Sequence, residues 1–281
     1  MNQKSIFVTG AASGVGRATA KLFHSHGWLV GGYDLVPDGL ERLRDELGSR
    51  CVTGVLDVRD KPAFDAAMEG FAIESDRRLD VMFNNAGIAV AGFFEDVPFD
   101  KTRDMVDVNL MGVLNGIHAA IPLLKRTPGS LCFTTSSSAA TFGAPGMAVY
   151  SATKYAVKGL TEALSVELAR YGARAADVSP GIIDTPLWEG TRYAPGQVEK
   201  ALHNVARANV GRTDAGRTLP PEDVAACAWA AYHGDRVHWY VPPELVERER
   251  AKSADPEELR DELIAQASEQ SVARRRSEQA P

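Results

Sequence analysis

The sequence has little cysteine. Its three thiols, Cys51, Cys132 and Cys227, stand far apart with no C-x-x-C among them. An odd, scattered set argues against a disulfide framework and fits reduced thiols in a cytoplasmic chain. All three read as small core residues. The six histidines show no ligand spacing, and His24 and His26, two apart, would point to different sides of a helix. No metal is expected. Positive charge is not in excess either: the formal net charge is −6, which argues against nucleic acid and against an anionic membrane surface. A signal peptide is not expected, because Met1-Asn2-Gln3-Lys4 runs straight into strand-like residues. The stretch 108–124 lacks charge but carries Asn109, Asn115, His118 and Pro122. It reads as a buried helix rather than a membrane span. There is no internal repeat, and no linker-like break before about residue 243.

What remains is ordinary globular composition: 281 residues, 44% hydrophobic and 24% charged, enough for one large α/β domain. Strand-like runs at 5–9, 28–34, 51–56, 80–84, 130–135, 173–178 and 237–241 alternate with helical stretches near 14–26, 38–47, 60–74, 100–126, 150–171 and 221–233. Such alternation predicts a doubly wound parallel sheet of about seven strands with helices on both faces. The nearly continuous apolar strands fit a sheet buried on both sides. Ligands in such sheets bind beyond the carboxyl ends of the strands, near the switch in strand order. Residues 184–220 break the rhythm and read as a binding loop or lid with a helical middle at about 195–208. We therefore expect a catalytic domain over 1–242 that includes this insertion, followed by a charged helical tail over 243–281. Residues 244–265 suggest an exposed amphipathic helix, and Ala273-Arg274-Arg275-Arg276 a small basic cluster. A solvated terminus is the plain reading of the tail; a subunit contact is the other.

Tyr150-Ser151-Ala152-Thr153-Lys154 carries the strongest chemical signal. Residues i and i+4 share a helix face, so the ammonium can sit beneath the phenol. A free tyrosine, with a pKa of about 10, is a poor acid or base at neutral pH. At roughly 4 Å and an effective dielectric of about 20, a cation favours the phenolate by on the order of 4 kcal/mol. That equals about three pKa units. One such cation is therefore about enough to tune Tyr150 into a working acid/base. The plain alternative is a surface Tyr–Lys pair.

The first strand ends in Thr9-Gly10-Ala11-Ala12-Ser13-Gly14-Val15-Gly16, a G-x-x-x-G-x-G loop that opens a helix. Glycines let the backbone approach a pyrophosphate, whose charge then rests at a helix N-terminus. Asp34 closes the second strand, about 20 residues on, where a carboxylate binds the adenosine ribose hydroxyls. A carboxylate there repels a 2′-phosphate. Ser13, not an arginine, precedes Gly14, and Leu35, not a base, follows Asp34. Arg17 is the nearest cation. The expected cofactor is NAD rather than NADP.

Together these residues resemble the short-chain dehydrogenase/reductase family over about residues 5–241. The matching pieces are the loop at 9–16, Asp57-Val58, Asn84-Asn85-Ala86-Gly87, Asn109, the serines 136–138, Tyr150-x-x-x-Lys154, and Pro180-Gly181 with Thr185. The resemblance implies a Rossmann-type fold and a catalytic set of Asn109, Ser137, Tyr150 and Lys154. Ser137 would hydrogen-bond the substrate oxygen, and Tyr150 would exchange the alcohol proton. Lys154 would lower the Tyr150 pKa and hold the nicotinamide ribose, and Asn109 would organise a proton-carrying water chain. It also implies a cofactor wall of Gly10, Ser13, Gly14, Val15, Gly16, Asp34, Asp57, Val58, Asn85, Ala86, Gly87, Pro180, Gly181, Ile183 and Thr185, with Tyr150 and Lys154. Asn84 reads equally well as structural. The helices around 100–126 and 150–171 resemble those that pair subunits in the family, so a homodimer or homotetramer is expected. The last strand, His238-Trp239-Tyr240-Val241-Pro242-Pro243, departs from the glycine-rich segment of many relatives.

Ser137, Phe142 and Trp188 head the expected substrate contacts, with Val90, Phe93, Phe94, Met147, Leu187 and Tyr193 as further candidates. Several are aromatic, which suggests an apolar secondary alcohol or ketone. The reading is hydride transfer between NAD(H) and such a small molecule. Two alternatives stay open: an NADPH-dependent 3-oxoacyl-type reductase, and a regulator that senses NAD without catalysis.

Overall fold

The computed structural model describes residues 3–189, 192–193 and 218–265. Its first strand shows how the sheet is built. In β1 (Ser5–Thr9) every residue is buried. Ile6 and Val8 turn to one face and Phe7 to the other, as the two-residue repeat of a strand requires. The same division runs through β2 (Leu29–Asp34), β4 (Val81–Asn84), β6 (Leu131–Thr135) and β7 (Arg174–Pro180). One face is covered by α1 (Gly14–Ser25), α2 (Pro37–Leu47) and α8 (Pro221–His233), through Phe23, Leu43 and Val224 among others. The other is covered by α3 (Lys61–Glu74), α5 (Gly112–Leu124) and α6 (Ala148–Ala169), through Phe64, Ile117 and Val157.

With β3 (Cys51–Val55) and β9 (His238–Val241) the sheet has seven strands in the order β3-β2-β1-β4-β6-β7-β9. Every pairing is parallel. The order reverses between β1 and β4, and the cleft opens there, above the carboxyl ends. The expected Rossmann-type doubly wound sheet is the one found.

The helix expected over 100–126 is divided. α4 (Phe99–Val106) passes into a π turn (Asp107–Met111) before α5 resumes. The run Phe99–Leu124 is apolar and long enough, at 26 residues, to cross a membrane by length and composition. Val113, Ile117, Ala120 and Leu124 are nevertheless buried under the sheet, so it is a core helix.

The insertion leaves the sheet through Ile183, continues into α7 (Pro186–Glu189), and returns at Leu219. Asp184 N–H donates to Leu219 O at 2.8 Å and Leu219 N–H to Ile182 O at 2.9 Å, which closes its neck. Two short strands, β5 (Val90–Ala91) and β8 (Arg192–Tyr193), pair in parallel. The helical middle expected near 195–208 lies outside the described residues.

The tail differs from the solvated helix expected. α9 (Leu245–Ala254) docks against α6, burying Leu245. Glu249 accepts from Lys158 and, at 2.7 Å, from Tyr240, and Lys252 meets the Tyr155 hydroxyl at 3.4 Å. A second helix, α10 (256–265), follows the break at Asp255. The three cysteines are free. Burial pushes the Cys132 and Cys227 thiols up to about 12 and Cys51 to about 11.

Candidate active site

The cleft over the switch point has a volume of about 480 Å³. Its floor is the turn after β1. Gly10 adopts φ +71°, a left-handed conformation that a side chain resists. A Cβ on Gly16 would stand 2.0 Å from the Gly10 carbonyl oxygen, so α1 can close on the loop only with glycine there. Ser13 caps α1 without a side-chain hydrogen bond, which leaves the first-turn amides for an anion. Thr185 faces the loop, its Cγ2 2.9 Å from where a Cβ on Gly14 would be.

Asn85 joins three strand ends. Its Nδ2 donates to Thr9 O at 3.1 Å, its Oδ1 accepts from Thr135 Oγ1 at 3.1 Å, and its backbone N–H donates to Thr9 Oγ1 at 3.0 Å. Ala86 N–H shares that same hydroxyl. Asn84 instead turns away toward α5, its Oδ1 2.2 Å from where a Cβ on Gly116 would stand, a structural position.

At the edge nearer β2 and β3 the wall is acidic. Asp34 accepts from Ala12 N–H at 3.0 Å and from Val36 N–H at 3.1 Å. Both bonds lock its carboxylate beside the glycine turn. Arg17, the nearest cation in the loop sequence, is bound to Glu46 and Gly39 O instead. Asp57 is held below the ordinary carboxylate range by the Arg59 guanidinium.

On the other wall β6 ends at Thr135, and the serine run divides by role. Ser136 Oγ donates to Lys154 O at 3.1 Å, Ser137 caps the short 3-10 turn Ser138–Ala140, and Ser138 opens that turn. Ser137 Oγ accepts from Ala139 N–H at 3.1 Å and faces the Tyr150 phenol closely enough to favour its ionised form. The strand does not continue to the serines. Their separate directions come from the turn, not from strand alternation.

Tyr150 and Lys154 lie one turn apart on α6 and are both nearly sealed from solvent. The ammonium lies over the phenol ring, as the spacing predicts, but its hydrogen bond goes elsewhere. Lys154 Nζ donates to Thr135 O at 2.8 Å and stands 5.6 Å from the Tyr150 ring centroid. Burial therefore governs both groups. It raises the Tyr150 phenol above its usual range, opposed only by Ser137, and draws Lys154 down to about 8.

Asn109 sits in the π turn, fully buried. Its Oδ1 accepts from Ile88 N–H and its Nδ2 donates to Ile88 O, each at 2.9 Å, with Thr153 Oγ1 at 3.4 Å. The amide is thus occupied in fixing the backbone after Gly87.

The cleft brings together Gly10, Ser13, Gly14, Val15, Asp34, Asp57, Val58, Asn85, Ala86, Gly87, Ser137, Phe142, Tyr150, Lys154, Pro180, Gly181, Ile183 and Thr185. Gly16 and Asn109 stand just behind it. Met147 and Leu187 line it too, but Phe93 and Phe94 point largely to solvent and Val90 is packed in the core. The side chains of Trp188 and Tyr193 lie outside the described residues. Sequence reasoning missed Thr135, Leu245 and Arg248. The spacing 245, 248, 249, 252 marks one helix face and was the available signal for the last two.

The residues fit a dinucleotide. The glycine turn packs closer to Asn85, Ala86 and Thr185 than a Cβ would allow, its first-turn amides are left for an anion, and a locked carboxylate stands where ribose hydroxyls would bind.

Comparisons with known proteins agree with this geometry. The sequence pattern described as short chain dehydrogenase matches residues 4–195. Oxidoreductase UcpA of Escherichia coli is 36% identical over 73% of this chain and 80% of its own length. Trans-4-hydroxycyclohexanecarboxylate dehydrogenase of Sinomonas cyclohexanicum is 34% identical over 70% of this chain and 78% of its own. Among solved structures, a short chain dehydrogenase/reductase from Burkholderia phymatum in complex with NAD superposes with a TM-score of 0.79 at 26% identity. That match covers 91% of this chain and 95% of the other.

Proposed function

The chain belongs to the short chain dehydrogenase family and is an oxidoreductase, and from that premise we propose that it oxidises a secondary alcohol, or reduces the matching ketone, with NAD(H). The observation that carries the reading is the facing pair of Ser137 and Tyr150 hydroxyls beside Lys154, in the same cleft as the glycine turn.

In oxidation Ser137 and Tyr150 hold the substrate oxygen between their hydroxyls. Tyr150, as phenolate, takes the O–H proton. Bound NAD supplies the hydride acceptor for the carbinol C–H. The products are ketone, NADH and one proton, which Tyr150 passes to solvent. Ser137 steadies charge on the oxygen as the C=O forms. Lys154, fixed by Thr135, sets the field at the phenol and is placed to meet the ribose. Asn109 acts through the Ile88 backbone and so is a positioning residue.

Asp34 supports NAD over NADP, because its carboxylate is locked in place and Arg17 is engaged elsewhere. The Sinomonas relative is named for a ring carbinol, a secondary alcohol. Phe142, Met147 and Leu187 favour an apolar skeleton around the reacting carbon.

Tyr150→Phe tests the reading. It should lower turnover by about a thousandfold or more, while NADH affinity stays within about threefold. Retained turnover would overturn the mechanism.

A further inference from the structure

Thr135, Ser136 and Ser137 grip α6 at successive points. Thr135 O accepts from Lys154 Nζ at 2.8 Å, Ser136 Oγ donates to Lys154 O at 3.1 Å, and Ser137 faces the Tyr150 phenol. The grip is anchored in the sheet. Thr135 Oγ1 donates to Asn85 Oδ1 at 3.1 Å, and Ser136 N–H donates to Val178 O at 2.8 Å. The end of β6 is thereby tied to the residue after β4 on one side and to β7 on the other.

The outer two points belong to groups already given work in the reaction. The Ser136 hydroxyl has had none. It is buried, with its residue 1% exposed, and its hydrogen goes to a helix carbonyl. In a regular helix that carbonyl already accepts from the amide four residues on, so α6 does not need the bond in order to form. Nor does the bond depend on which side chain stands at 154. What it fixes is the separation between the end of β6 and the first turns of α6. The large apolar side chains that bind α6 to the sheet, Val157, Leu164 and Leu168, come later along the helix. Tyr150 and Lys154 precede them. The Lys154 ammonium must also serve the ribose, whereas the carbonyl bond is free of that demand.

We propose that Ser136 is a positioning residue for hydride transfer: its bond to the Lys154 carbonyl holds the turn of α6 that carries Tyr150 and Lys154 at working distance from Ser137. A reacting centre is sensitive to such placement, since an error of about 1 Å can cost about a hundredfold in rate. The consequence for turnover rests on the dehydrogenase reading; the placement itself can be seen without turnover.

Ser136→Thr and Ser136→Val test it as a matched pair, alike in shape and differing in the hydroxyl. With cyclohexanol and NAD, the valine variant should lose about ten- to a hundredfold in kcat, while KM and the NADH Kd stay within about threefold of wild type. Its deuterium isotope effect on kcat, read with carbinol-deuterated cyclohexanol, should rise as the chemical step becomes limiting. The threonine variant should keep kcat within about threefold of wild type. Crystal structures should show the Tyr150 hydroxyl displaced from Ser137 by about 0.5 Å or more in the valine variant and unmoved in the threonine variant. Should the threonine variant fail to fold, Ser136→Ala against wild type decides by the same readings. A folded valine variant with wild-type kcat, a threonine variant as slow as the valine one, or an unmoved Tyr150 overturns the proposal. Wild type that turns over no alcohol with NAD would instead sink the dehydrogenase reading, and the structures would still decide whether Ser136 holds Tyr150 to Ser137.

Discussion

Lys154 gives its ammonium to the carbonyl of Thr135, at 2.8 Å, and not to the phenol of Tyr150. The residue that would tune the tyrosine is thus moored to the end of β6, with its charge over the ring face rather than hydrogen-bonded to the hydroxyl. Burial then dominates the resting state, opposed at Tyr150 by Ser137: Tyr150 keeps its proton and Lys154 sits near 8.

A pH profile should carry this signature. Oxidation needs the phenolate, and a raised pKa leaves Tyr150 protonated at neutral pH. The rate of oxidation should climb about tenfold per unit between about pH 7 and 9, while reduction, which uses the protonated form, stays flat there. Measuring kcat/KM in both directions checks it, and an oxidation rate independent of pH would contradict it.

Asp34→Ala should reverse the cofactor preference. The variant loses the carboxylate that accepts from Ala12 and Val36 and that repels a 2′-phosphate. NAD affinity should fall by about tenfold or more, and the ratio of the NADP to the NAD Kd should fall further. A tenfold preference of the wild type for NADP would refute the assignment.

Glu249→Gln should loosen α9. It leaves the Lys158 ammonium, 5% exposed, without its counter-ion, at a cost of about 2 kcal/mol or more. Burial opposes ionisation of Glu249, but the hydrogen bonds from Lys158 and Tyr240 outweigh it and hold the pKa below the usual value. The stabilisation is therefore present above the ordinary carboxylate range and is lost as pH falls through the lowered pKa. Thermal melts of both proteins at pH 7 and pH 3.5 should show the difference shrinking at the lower pH.

Light scattering should give two or four times the chain mass of 30.2 kDa. Phe99 on α4, Met111 in the π turn and Val166 on α6 present large apolar side chains to solvent, on the two helical regions expected to pair subunits. A monomer at micromolar concentration would remove that expectation.

The parts legible in the sequence were those with local causes. Gly10 and Gly16 are required by backbone approach within one turn, and Asp34 by its place at a strand end. Tyr150 and Lys154 are linked by helical spacing alone. What escaped depended on contacts between distant segments. Thr135 moors Lys154 through a backbone carbonyl, which leaves no mark in the residue type. Arg248 reaches the cleft only because α9 folds back onto α6, about ninety residues earlier in the chain. Phe93 and Phe94 failed as pocket residues because composition does not tell which way a loop side chain turns. The π turn at Asn109 was hidden inside an unbroken helical pattern, since its cause is the buried amide bonded to Ile88.

The closed neck of the insertion has an evolutionary meaning. Because Ile183 and Leu219 meet as neighbours, the stretch that follows Thr185 can be lengthened, shortened or exchanged without moving a strand of the seven-stranded sheet. A lineage could change which molecule it accepts by rewriting that one excursion while the machinery for handling hydride stays untouched.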